Sequence, residues 1–365
     1  MNERLKMISV LILTKYGRMG ASSRLRFLQY FPDLEEHGFR IKVQSLLPDQ
    51  LLQSRYIRGS YGFGSLLSAY AARFAAMLRR RRFDVVWIEK EALPWAPLWV
   101  ERTLLRGVPY VLDYDDAVFH QYDQHPRAWI RYLYGKRLDG LMANAAVVVG
   151  GNKYLAQRAQ DAGASRIEIV PTVIDLDRYP NPLAMPVARD KLRIVWVGSP
   201  STARYLRLLR GPLMELAKKV SFVLRVIGTD VVDIPGLQIE VVPWSEETEV
   251  ASIGACDVGV MPLLDSSWER GKCGYKLIQY MACGLPVVAS GVGVNAEIVQ
   301  HGVNGYLANS DDEWAATLGK LLKDQQLRAQ MGRAGRLMVE QTYCIQQTRP
   351  KIARFLRVAS SRGEG

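Results

Sequence analysis

The sequence predicts an α/β protein built as two doubly wound parallel sheets, and three observations carry that expectation. Short apolar runs alternate with amphipathic segments along nearly the whole chain, the pattern of parallel strands wrapped by helices. The alternation stops between Pro171 and Arg193, where four prolines and no periodicity read as a linker, and then restarts. At 365 residues the chain is long for one core and suits two domains. These are expected at residues 1–180 and 190–344, with a C-terminal helix at about 345–360 packing back on the first.

The first domain opens with an apolar strand, Met7–Leu13. Basic residues precede it, as in a signal peptide, but a run of only seven residues leading into GRMGASS fits a buried strand better. A helix from Ser22 to His37 follows, stopped by Gly38 and kinked at Pro32. Ile41–Leu46 is the next strand. Ser65–Arg80 carries Leu66, Leu67, Tyr70, Phe74, Met77 and Leu78 at helical spacing, and VVWIE returns as a strand over 84–89. Helix Leu98–Leu105, strand Tyr110–Asp113, helix Ala128–Ala145, strand Val147–Val149, helix Lys153–Ala162 and strand Ile167–Val170 complete the set.

After the linker come strand Ile194–Val197, the loop GSPST, helix Leu206–Lys219, and strands Phe222–Ile227 and Gln238–Val242. Helix Thr248–Ala255 and strand Val258–Met261 lead into WERGKCGYKLIQYMACGLPVVAS, residues 268–290. There a helix starts near Cys273 or Gly274, stops at Gly284, and gives way to a strand behind Pro286. Lys272, Lys276 and Gln279, spaced by four and three, are expected on one helix face, where two cations and an amide suit a phosphorylated ligand. Gly305–Leu307, helix Trp314–Leu322 and basic helices over 327–358 end the chain.

Composition narrows the function. The formal net charge of +12 favours an acidic partner without choosing among nucleotide, nucleic acid and anionic membrane. Four cysteines without CxxC spacing suggest neither a disulfide framework nor a metal site, so a cytoplasmic setting is expected. No stretch approaches the roughly 20 apolar residues of a membrane span. The aromatic and basic residues form no groove-reading motif, which argues against nucleic acid. Ligands of doubly wound sheets bind at the carboxyl ends of the strands, so the loops after each strand hold the candidates.

The block YKLIQYMACGLPVVASGVGVNAEIVQHGVNGYL at 275–307, with VWVGSP at 195–200, GNKYLAQRA, PTVIDLDRY and DVGVMPL, resembles the family-four glycosyltransferases of the GT-B fold. That resemblance covers nearly the whole chain and implies two Rossmann-like domains facing a cleft. It implies a nucleoside-diphosphate sugar donor in the second domain and a saccharide or lipid-linked acceptor in the first. It further implies retention of anomeric configuration, no cofactor or metal, and a role in bacterial surface-polysaccharide assembly. Peripheral contact with an anionic membrane at the inner face of the plasma membrane is expected of the basic segments Arg79–Arg82 and Arg127–Arg137, which mix Arg with aromatic residues.

The family carries two glutamates with seven residues between them near the signature helix, and here Gly271 and Gln279 stand in their places. Glu269 is expected to substitute for the first, and Gln279 retains ribose-binding capacity. Lys272 and Lys276 are expected to carry the pyrophosphate charge, with Arg204 nearby, Gly198, Ser199 and Thr202 as a phosphate turn, and Gly274, Tyr275, Gly293 and Asn295 completing the donor site. In the first domain, Gly20, Ser22, Arg24 and Lys90 are acceptor-side or phosphate-side candidates. DYDD at 113–116 invites a metal reading, but Asp115 or Asp116 is expected either to take the acceptor's proton or to cap the next helix. A UDP-sugar 2-epimerase and an inactive nucleotide-sugar-binding scaffold are the rival readings.

Overall fold

Valine and isoleucine runs fill the centre of two six-stranded parallel sheets in the computed structural model, which describes residues 7–180, 191–230, 232 and 234–361. The first basic residues and, from 181 to 190, the expected linker lie outside the described residues. The chain divides into two units. One holds the residues up to Thr172, the tripeptide Gly271–Cys273 and the residues from Thr348; the other holds Val173–Arg270 and Gly274–Gln347.

The first unit contains β1 (Ile8–Tyr16), β2 (Phe39–Leu47), β3 (Val85–Glu89), β4 (Tyr110–Tyr114), β5 (Val147–Gly150) and β6 (Ile167–Ile169), in the order β2-β1-β3-β4-β5-β6. β3 and β4 are buried at every position, as parallel strands covered on both faces must be. Their register pairs Glu89 with Asp113, so two carboxylates end up buried side by side at the carboxyl edge. The strand order reverses between β1 and β3, which makes the ends of those strands the expected ligand crevice. The last helix, Ile345–Ser361, sets Phe355 edge-on to Trp87 of β3 with ring centroids 5.6 Å apart, and the Tyr30 and Thr348 hydroxyls meet at 2.8 Å.

The second unit contains β7 (Leu192–Val197), β8 (Phe222–Ile227), β9 (Ile239–Val242), β10 (Val258–Met261), β11 (Val287–Ala289) and β12 (Gly305–Leu307), in the order β12-β11-β10-β7-β8-β9. Its reversal lies between β7 and β10. The loop after Val197 and the segment after Met261 therefore flank the ligand-binding edge.

Several helices differ from expectation, each for a local reason. The segment 22–37 is not one kinked helix. It breaks into Ala21–Arg26, a 3-10 turn at Leu28–Tyr30 and a second helix, Phe31–Glu36, because Pro32 lacks an amide to continue a helix but fits a helix start. Residues 128–145 form two helices, Ala128–Tyr134 and Arg137–Met142, parted at Gly135 and Lys136. The expected helix 206–219 is a 3-10 helix, Pro200–Leu209, followed by Arg210–Ala217. Helix Asp49–Arg58 went unforeseen because its apolar positions are too sparse to give a periodic signal. Among the described residues, no helix is long and apolar enough to cross a membrane.

Candidate active site

In the first unit, β1 ends at Tyr16 and the chain turns through 17–20 into helix Ala21–Arg26. The turn is tight: a Cβ on Gly20 would lie 2.3 Å from that of Tyr16. Its amides are already engaged, since Asp49 accepts from Arg18 N at 3.2 Å and Met19 N at 3.0 Å. Arg24 is buried and donates to Arg18 O at 2.9 Å, so it stiffens the turn from within.

The following side chains meet the ends of β3 and β4. Ser23 Oγ donates to Glu89 at 2.5 Å, and Ser22 Oγ donates to Asp115. Lys90 occupies the centre. Its ammonium lies 2.8 Å from Asp115, 3.8 Å from Asp116 and 3.9 Å from Glu89, and donates to Ser22 Oγ at 3.2 Å. Lys90 has φ of 63°; with Trp95 it is one of two non-glycine residues of positive φ among the described residues, both in the loop after β3. That conformation costs on the order of 1–3 kcal/mol and is typically retained where geometry at a site demands it.

The electrostatics follow from this crowding. Burial alone would lower the Lys90 pKa, but Asp115, Asp116 and Glu89 together hold it well above the ordinary range. Burial would likewise raise Asp115, yet Lys90 and the hydrogen bond from Ser22 outweigh it and hold Asp115 below the usual carboxylate range. Asp116 moves the other way, raised by burial that Lys90 and Lys272 only partly offset. Adjacent carboxylates pushed apart in this way can divide their labour, one staying ionised and the other keeping a proton more readily. Asp113 does not join them: Arg26 holds it at 2.8 Å and burial lifts it to about 6. Asp113 thus turns to Arg26, while Asp115 and Asp116 both face the Lys90 ammonium.

The tripeptide Gly271–Cys273 joins this cluster. Lys272 Nζ lies 3.7 Å from Asp116, and its carbonyl accepts from Asn152 at 2.9 Å. Cys273 donates to Asp115 O at 3.1 Å, and burial followed by the Asp115 charge pushes its thiol far up, so it is an inert packing group. A Cβ on Gly271 would fall 2.7 Å from Ala117 N, so this position has no room for the family's glutamate without a backbone shift.

In the second unit, Gly198 is required by space, since a Cβ there would sit 2.2 Å from the Trp196 ring. The Ser199 amide donates to Thr202 Oγ1 at 3.0 Å and that hydroxyl donates back to Ser199 O at 3.0 Å, closing the turn. Arg204 is 61% exposed, its guanidinium 4.9 Å from the Tyr205 ring centroid and 3.4 Å from Glu269. Glu269, in helix Ser267–Arg270, is buried and accepts from Tyr205 Oη at 2.5 Å and from Ser266.

The signature helix spans Tyr275–Ala282, entered through Gly274 at φ of 65°. Lys272 therefore precedes the helix and does not share a face with Lys276 and Gln279, which corrects the expectation drawn from spacing. The left-handed Gly274 turns the chain before the helical repeat begins. Tyr275 is half-buried, and Lys276 rests its ammonium 5.2 Å from the Trp196 ring centroid. Gln279 is 2% exposed and donates to Tyr179 Oη at 3.3 Å, so its amide serves the core and not the surface. Gly293 has φ of 53°, and buried Asn295 donates to Ser290 O at 3.2 Å.

The structure thus brings Ser22, Lys90, Asp115, Asp116 and Lys272 together, and separately pairs Arg204 with Glu269 and Lys276 with Trp196. Sequence reasoning missed Glu89 and Tyr205, and weighed Asp113 only within the DYDD motif. For Glu89 a signal existed: it is a lone carboxylate at the end of an otherwise apolar strand, at the edge where ligands bind.

Comparisons with known proteins agree with this architecture. Residues 32–173 match the family described as "Glycosyl transferase 4-like domain" and residues 182–324 that described as "Glycosyl transferases group 1", together more than three quarters of the chain. A D-inositol 3-phosphate glycosyltransferase of Xylanimonas cellulosilytica is 31% identical over 209 residues, 49% of this chain and 48% of that one. The chain thus spans about half the length of this curated relative. Among solved structures, Anabaena HepE in complex with UDP and glucose superposes with a TM-score of 0.69 at 16% identity, covering 96% of this chain and 99% of that one. WaaG, a glycosyltransferase involved in lipopolysaccharide biosynthesis, superposes with a TM-score of 0.66 at 16% identity, covering 96% and 99%. At such identity these likenesses show the fold.

Proposed function

Since the chain belongs to the family-four glycosyltransferases of the GT-B fold, we propose that it transfers a sugar from a nucleoside-diphosphate sugar to a saccharide or lipid-linked acceptor in bacterial surface-polysaccharide synthesis. The observation that carries this reading is the cluster of Lys90, Asp115, Asp116 and Ser22 at the strand-order reversal of the first unit. The UDP and glucose bound to HepE and the part of WaaG in lipopolysaccharide biosynthesis support the donor and acceptor classes.

In this reading the second unit holds the donor. Arg204 and Lys276 neutralise the diphosphate as the bond from the anomeric carbon to its leaving oxygen breaks. The acceptor oxygen forms the new bond on the same face, giving retention, and its proton passes to the departing phosphate or to Asp115. Asp115 is fitted to orient the acceptor hydroxyl because it is held ionised. Placement at the inner face of the plasma membrane would present a lipid-linked acceptor.

The test pairs binding with turnover. A thermal-shift screen of UDP-, GDP- and ADP-sugars identifies the donor, which stabilises the fold by mass action. Asp115→Asn should keep that shift and lose on the order of 10²–10⁴ in transfer rate; near-normal transfer would refute the role of Asp115. The closed space at Gly271 and the burial of Gln279 favour one rival, a scaffold that binds the donor without turnover. Donor binding by the unaltered chain with no transfer to any acceptor would establish it.

A further inference from the structure

The helix Phe63–Leu78 turns a second face outward that its own unit does not cover. Phe63 is 83% exposed, Leu67 62%, Phe74 43% and Leu78 57%. With exposed Ala71 between them, these positions fall within an arc of about 80° and run about 22 Å along the helix. The opposite side does the structural work, with Ala69, Arg73 and Met77 buried. Bulky side chains in an unbroken exposed stripe are not explained by folding, since each would be sheltered at a gain if the unit had a place for it.

Charge says what covers the stripe. From residue 50 to residue 83 the chain holds seven arginines and neither Asp nor Glu, a local charge of +7 within a net +12. Arg79, Arg81 and Arg82 directly follow the helix, are exposed, and form no ion pair among the described residues. Ile57, on the preceding helix beside Arg58, is 85% exposed. We infer that this face of the first unit docks on an anionic lipid surface, the stripe entering the interface and the arginines meeting phosphate headgroups. A second copy of the chain would bring another +12 to the contact, which opposes self-association through the same face. The other basic segment, 127–137, also exposes Trp129, Tyr132 and Leu133 but holds part of its charge internally. Arg137 is buried against Glu91 and Glu101, and Arg131 donates to His125 O and Pro126 O.

The inference concerns where the protein sits and not what it transfers, so its failure would leave the proposed reaction standing. The test is co-sedimentation of the full chain with vesicles of neutral phosphatidylcholine and with vesicles containing anionic phosphatidylglycerol, at low and high salt. Binding to anionic vesicles that weakens with salt is expected. Leu67→Ser with Phe74→Ser should weaken it at least tenfold, and Arg79→Ser with Arg81→Ser and Arg82→Ser by about fivefold per arginine at low salt. All these positions are exposed, so melting temperature and donor-induced thermal shift should stay unchanged. Three results would overturn the inference: no retention on anionic vesicles at low salt; stripe variants that bind as well as the unaltered chain, which would mean general polyanion affinity; or a dimer that the stripe variants convert to monomer, which would make the stripe a self-contact.

Discussion

The two units treat their cations differently. In the first, Lys90 and Arg26 are buried against carboxylates, and Lys90 contacts three acidic groups at once. In the second, the cations near the ligand-binding edge lie over aromatic rings, Arg204 on Tyr205 and Lys276 on Trp196, and Arg204 also meets Glu269 at 3.4 Å while staying 61% exposed. Breaking a buried ion pair costs about 3–5 kcal/mol, whereas an exposed cation over a ring gives up about 0.5–1 kcal/mol. Turning Arg204 or Lys276 toward a diphosphate therefore costs less than moving Lys90 or Arg26, whose charges already hold buried carboxylates. In the proposed reaction, this contrast suits the second unit to anion binding and the first to acceptor orientation.

The largest effect should come from emptying the first unit's centre. Lys90→Met leaves buried Glu89 and largely buried Asp115 without their cation, Asp116 keeping only Lys272, and should lower stability by about 3–5 kcal/mol in urea unfolding. A loss under 1 kcal/mol would mean that the network is not closed as described.

Lys276→Ala probes the other side of the contrast. Stability should fall by no more than about 1 kcal/mol, while the transfer barrier rises by about 2–4 kcal/mol. Unchanged transfer with saturating donor would remove Lys276 from the anion site.

Gly271→Ala comes next. Its Cβ meets Ala117 N and must move backbone, so a loss of about 1–3 kcal/mol is expected from melting curves. A neutral outcome would show that a larger side chain, the family's glutamate included, is tolerated there.

The smallest effect concerns pH. Burial lifts Glu101 to about 7, with Arg137 only partly opposing it. The folded state therefore binds this proton more tightly than the unfolded chain, whose carboxyl titrates near 4. The stabilisation it brings is present at low pH and is lost as pH rises through about 7. Glu101→Gln should flatten the change in urea midpoint between pH 5 and pH 8; an identical slope would remove Glu101 as its source.

Legibility in the sequence tracked the range of the physics. Strands β8, β10 and β12 emerged with their observed bounds because a short apolar run between turn residues is a local signal. Helix 22–37 failed at Pro32 because the same residue can kink a helix or start one, and neighbouring packing decides which. At the site, Lys90, Asp115 and Ser22 were suspected separately from loop positions, but nothing in their spacing reveals that Ser22 meets the Lys90 ammonium 68 residues away and the Asp115 carboxylate 93 residues away. Lys272 and Lys276 were assigned to one face by helical arithmetic that Gly274 interrupts.

The sequence by itself determined the alternation of strands and helices, the doubling of the sheet and the family, because hydrophobic periodicity, glycine and proline act over a few residues. Tertiary structure alone decided that Gln279 faces the core, that Gly271 packs on Ala117 and that Glu269 belongs to Tyr205. Those outcomes depend on which distant surfaces meet, and on the cost of leaving a buried polar group without a partner once they do.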